Sequence, residues 1–125
     1  MRSEINNWIR QANKDLNVAE KNFDIEEYYS ATFWCQQAIE KGLKALILHK
    51  TRETPLGHSL VKLGKLAVVP KDFISKLKKL SPQYFLSRYP DASEDVPFEL
   101  YDEKITKEFL DISKEVLEWI NNQLK

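Results

Sequence analysis

The chain has 125 residues, of which 42% are apolar and 30% charged. This is the balance of a globular domain rather than a disordered segment. A single cysteine, Cys35, excludes an intrachain disulfide, and one thiol with two histidines cannot build a Cys-based zinc site. With only three glycines there is no Gly-rich phosphate loop. The longest unbroken apolar runs are four residues, Ala45-Leu46-Ile47-Leu48 and Leu66-Ala67-Val68-Val69, far short of a membrane-spanning helix. The opening residues carry no hydrophobic signal segment. The expectation is one cytoplasmic domain over residues 1–125, without metal or cofactor.

Nineteen basic and nineteen acidic side chains cancel, but not locally. Residues 1–35 are net −2, residues 36–80 net +7 and residues 81–125 net −5. The middle third is either an anion-facing surface or, more simply, the electrostatic mate of the last third.

From Ile5, apolar residues recur at Trp8, Ile9, Ala12, Leu16, Ala19 and Phe23, one face of a helix. Ser3 is its expected N-cap. A second helix is predicted over about 26–50. Its main stripe holds Tyr28, Ala31, Thr32, Cys35, Ala38, Ile39, Gly42 and Leu46, while Phe33, Trp34, Ile47 and Leu48 point elsewhere. A helix apolar on several sides is central or lies at a subunit interface, so a homodimer is expected. Gly42 costs about 1 kcal/mol against alanine in a helix interior, which calls for a compensating close approach.

Pro55 and Gly57 end this helix, and Ser59 can cap a short one carrying Leu60, Leu63 and Leu66. Pro70 suits the first turn of the next helix, whose face is Phe73, Leu77, Leu80 and Tyr84. Pro82 should kink that helix or restart it after Ser81. Residues 87–102 carry two prolines and five acidic side chains without helical periodicity, which marks a long loop. Asp102 then caps a last helix with the face Ile105, Phe109, Ile112, Val116, Trp119 and Ile120. Four long helices and one short one pack best as an all-α, up-and-down four-helix bundle with an additional short helix. The expected core is Trp8, Leu16, Phe23, Tyr28, Cys35, Ile39, Leu46, Leu77, Phe109, Ile112, Val116 and Trp119.

The run Tyr28-Tyr29-Ser30-Ala31-Thr32-Phe33-Trp34-Cys35-Gln36-Gln37-Ala38-Ile39-Glu40-Lys41-Gly42-Leu43-Lys44-Ala45-Leu46 resembles the second helix of HEPN domains (higher eukaryotes and prokaryotes nucleotide-binding). Trp8, Ala12, Asp15, Leu16 and Ala19 resemble the family's opening helix, and His58-Ser59-Leu60 its entry into the short third helix. Arg88-Tyr89-Pro90-Asp91 resembles the RYPD stretch of one prokaryotic branch. The resemblance implies a helical bundle that commonly dimerises. For many prokaryotic members it implies pairing with a minimal nucleotidyltransferase, often as toxin and antitoxin. Many relatives are metal-independent ribonucleases that use an Arg and a His four to six residues apart.

Arg52 and His58 have that spacing, but they lie in the loop straight after the second helix, and no histidine follows Arg88. They are therefore weak catalytic candidates, and a noncatalytic nucleotide- or RNA-binding module is expected ahead of a ribonuclease or a structural adaptor. Arg88, Tyr89 and Asp91 are candidate nucleotide contacts, since a guanidinium fork matches phosphate and a phenol ring stacks on a base. The plainer alternative is that Arg88 pairs with Asp91 or another acid and locks the loop. Lys41 and Lys44 are further candidates for phosphate. Their alternative is an exposed helix face with a Glu40–Lys44 pair, and for His58 the alternative is a local cap.

Overall fold

The computed structural model describes residues 2–125. Three long helices dominate it: α1 (Ser3–Asp24), α2 (Tyr28–Thr51) and, at the other end of the chain, α6 (Glu103–Gln123). Between α2 and α6 lie α3 (Leu60–Ala67), α4 (Lys71–Leu80) and the single turn α5 (Gln83–Leu86). Residues 87–102 hold two 3₁₀ turns, Pro90–Ala92 and Pro97–Glu99, each opened by its proline. The fold is an all-α helical bundle in which the shorter α3 and α4 lie side by side and antiparallel, Leu60 N donating to Ser81 Oγ at 2.9 Å, beside the three long helices.

The tight turn from α1 into α2 uses Glu26 at φ 65°. Lys41 on α2 reaches back to Asp15 on α1, so the two helices run antiparallel. Helix α6 runs parallel to α2. Thr32 meets Thr106 near one end, and Gly42 faces Leu117 and Ile120 farther along. Helix α4 runs opposite to α6, with Lys76 on Glu115 at 2.7 Å and Lys79 on Glu108 at 2.9 Å. Two lysines of the basic middle third thus pair with glutamates of the acidic last third along this seam.

The caps follow local chemistry. Ser59 Oγ accepts from Lys62 N at 3.2 Å, and Asp102 Oδ1 accepts from Ile105 N at 2.9 Å. Ser3, by contrast, is the first helical residue of α1; its N-cap is Arg2, which makes no side-chain capping bond. Helix α4 ends at Leu80, and Pro82 precedes the new turn α5, because a proline has no N–H to continue the ladder.

The centre of the bundle is α2, with Cys35, Ile39, Leu43 and Leu46 fully buried. Leu77, Phe109, Ile112 and Val116 are buried around it, whereas Trp8, Leu16, Phe23 and Trp119 pack on its margin, half-buried. Tyr28 is likewise half-buried. Two expectations are corrected here. Ile47 and Leu48 are 3% and 2% exposed within the single chain, where both belong to its hydrophobic core. They are thus not a surplus face awaiting a second subunit. Leu66 and Ile105, expected on buried faces, are 54% and 40% exposed. Among the described residues, no helix is long and apolar enough to cross a membrane.

Candidate functional site

The connection from α2 to α3 does not leave the bundle. From Arg52, at φ 65°, residues 52–59 run back along α2, so that Gln36 Nε2 donates to the His58 carbonyl at 3.1 Å. This return brings His58 Nδ1 within 3.0 Å of Glu40 Oε1 on α2. Glu40 is buried and also pairs with Lys44 Nζ at 3.2 Å. A carboxylate on Nδ1 fixes the ring orientation and leaves Nε2 free, the way imidazole bases are commonly held. The His58 ring stacks on Tyr84 with centroids 3.9 Å apart and 12° between planes.

Tyr84 also carries Arg88. The two residues are one turn apart, and Arg88 Nε donates to the Tyr84 carbonyl at 3.0 Å. The guanidinium carbon lies 4.3 Å from the Tyr84 ring centroid, 4.5 Å from that of Phe33 on α2 and 4.9 Å from that of Tyr89. Three ring faces stabilise the cation without neutralising it. Among the described residues Arg88 forms no ion pair, with Asp91 or with any other acid, and its Nη2 is buried without a hydrogen-bond partner. The cation keeps hydrogen-bonding capacity that the protein itself does not use.

Arg88 borders a cavity of about 360 Å³, whose other walls include Glu27, Tyr29, Val96, Pro97 and Phe98. Asp91 lies outside it, exposed, beside Phe85 and Tyr89 in a neighbouring depression. The structure thus groups Arg88 with Tyr89, places Asp91 next to them, and brings His58 to the same aromatic stack. Arg52 is exposed at the end of α2 and makes no side-chain hydrogen bond.

Lys41 and Lys44 are engaged elsewhere. Lys41 Nζ lies 2.5 Å from the buried carboxylate of Asp15 and 5.7 Å from the Trp34 ring centroid. Lys44 does pair with Glu40, but not on an exposed face: it is 8% exposed and sits between Glu40 and Trp8. A phosphate at either ammonium would have to displace a carboxylate already in contact. Sequence reasoning did not single out Phe33, Tyr84, Glu27, Tyr29, Phe98 or Glu40 for the site. The i, i+4 spacing of Tyr84 and Arg88 was a usable signal, but nothing local pointed to Phe33 or Glu27. Among the described residues no three His, Cys, Asp or Glu side chains gather as metal ligands.

The family profile described as "HEPN domain" matches residues 5–123. The chain belongs to the HEPN domain family. Two solved structures are similar to this chain over nearly their whole length. TT1696 from Thermus thermophilus is 30% identical with a TM-score of 0.88, over 98% of this chain and 99% of that one. ST0689, described as an archaeal HEPN homologue, is 34% identical with a TM-score of 0.83, over 97% and 98% of the two chains. No curated protein matches the chain.

Proposed function

We propose that this HEPN domain binds a nucleotide or RNA without cleaving it, with Arg88 as the phosphate contact. The observation that carries this reading is the state of Arg88: a cation held by three rings, without a carboxylate partner, bordering a cavity. A guanidinium so placed offers charge-assisted hydrogen bonds to a phosphate without first losing an internal ion pair. Tyr89 and Asp91 stand beside it as secondary contacts. In this reading the module acts as a homodimer beside a minimal nucleotidyltransferase, in a toxin–antitoxin-like pair. Those two features rest on the family resemblance. Lys41 and Lys44 act as structural ion pairs, given their carboxylate partners.

The test is titration of the wild type with nucleoside monophosphates and a short single-stranded RNA, followed by calorimetry. Saturable binding is expected, and Arg88→Ala should weaken it at least tenfold, the scale of a charged hydrogen bond lost. Arg88→Lys should recover only part of it, since an ammonium cannot supply the planar fork. Absence of saturable binding to every ligand would favour a purely structural adaptor.

One observation favours a second reading, a metal-independent endoribonuclease. His58, oriented by Glu40, shares the Tyr84 ring with Arg88. Imidazole could then take the 2′-OH proton while the guanidinium stabilises charge on the phosphorane. RNA cleavage in the presence of a chelator, lost in His58→Ala and in Arg88→Ala but kept in Arg52→Ala, would select this reading over the noncatalytic one.

A further inference from the structure

The cavity beside Arg88 holds a second unused charge. Glu27, the residue before α2, lines it, is exposed, and makes no side-chain hydrogen bond or ion pair among the described residues. An arginine and a glutamate thus border one cleft without pairing with each other. The same cleft is lined by apolar side chains that water still reaches: Tyr29 is 37%, Val96 45% and Phe98 60% exposed. Apolar walls with a few unspent polar groups are the usual make-up of a small-molecule site.

A ligand complementary to this lining carries an anion for the arginine, a flat body for the apolar walls, and hydrogen-bond donors for the glutamate. The carboxylate only accepts, so the donors must come from the ligand. Resting on the reading of Arg88 as the phosphate contact, we infer that the cleft takes a guanine mononucleotide, with the phosphate toward Arg88, the base against Tyr29 and Phe98, and Glu27 on the base edge.

Guanine is the one common RNA base whose Watson–Crick edge places an imino and an amino donor side by side. A carboxylate can accept from both. Adenine and cytosine set a ring-nitrogen acceptor beside their amino group, and uracil flanks its single N–H with two carbonyls. Each of those presents a lone pair to the glutamate, and unpaired or repelled groups are what give such sites their discrimination. The volume of about 360 Å³ is at the small end for ligand cavities, which fits one nucleotide unit rather than a strand.

The experiment is a calorimetric titration of the full chain with GMP, IMP, AMP, CMP and UMP at one ionic strength. GMP should bind about tenfold or more tightly than AMP, CMP and UMP, the discrimination expected of a two-donor pair. IMP, which lacks the 2-amino group, should fall between. Glu27→Gln, a change at an exposed position, should reduce the guanine preference to within about threefold while leaving nucleotide binding detectable. Equal binding of all five nucleotides, or a preference that survives Glu27→Gln, would overturn the guanine assignment and leave the role of Arg88 standing. Failure of every nucleotide to bind would overturn the Arg88 reading and this inference with it.

Discussion

Gly42 on α2 faces Leu117 and Ile120 of α6 at close range, and its replacement by alanine tests the packing directly. A Cβ there would sit 2.9 Å from Leu117 Cδ1 and 3.2 Å from Ile120 Cδ1. Carbon atoms prefer about 3.5–4.0 Å, so the Leu117 methyl must move by roughly 0.6 Å or more. Leu117 and Ile120 are 1% and 0% exposed, so there is no open space to receive it. Overpacking of this kind costs about 1–3 kcal/mol, and the displaced atom is the end of a flexible side chain, which puts the cost near 2 kcal/mol. Alanine returns about 1 kcal/mol of helix propensity. The net expectation is destabilisation by about 1 kcal/mol, a fall in Tm of about 4 °C for a chain of this size. Urea denaturation followed by circular dichroism should show a lower midpoint with an unchanged m-value. Gly42→Ala should also be less costly in a Leu117→Ala background, where its methyl fills the vacated space. A variant more stable than wild type, or strict additivity with Leu117→Ala, would refute the close approach of the two helices.

Two further outcomes follow from backbone and burial. Val68 ends α3 at φ 57° and is 72% exposed, so it bears the cost of a left-handed β-branched residue with little burial in return. Val68→Gly should stabilise the fold by about 1 kcal/mol, read as a rise of about 4 °C in Tm. The Tyr101 hydroxyl donates to Gln83 Oε1, and burial pushes its pKa up to about 12 from an ordinary 10.0. The neutral phenol is the form favoured by folding. Its contribution is therefore complete below about pH 10 and is lost as pH rises from there through about 12. Tyr101→Phe should cost about 1–2 kcal/mol at pH 8 by leaving Gln83 short of a partner. The Tm gap between wild type and Tyr101→Phe should narrow above pH 10, and a gap independent of pH would contradict the assignment.

Periodicity alone carried the helices, their order and most caps, because apolar spacing and capping chemistry are local properties of the chain. Asp102, Ser59 and Pro82 do in three dimensions what their residue types demand. The run from Tyr28 to Leu46 was distinctive enough to reveal the family. What local pattern could not carry was which side of α2 meets what. Ile47 and Leu48 look like surplus apolar surface until the other helices of the same chain pack over them. Lys44 looks like an exposed cation until Glu40 and Trp8 enclose it. The same holds for the site. Arg88 and Tyr84 are neighbours by sequence, but Phe33 reaches Arg88 from α2, and His58 reaches Glu40 only because residues 52–59 turn back along that helix. Charge pairing and ring stacking act over a few ångströms in space, and residues tens of positions apart come within that range only once the helices have packed.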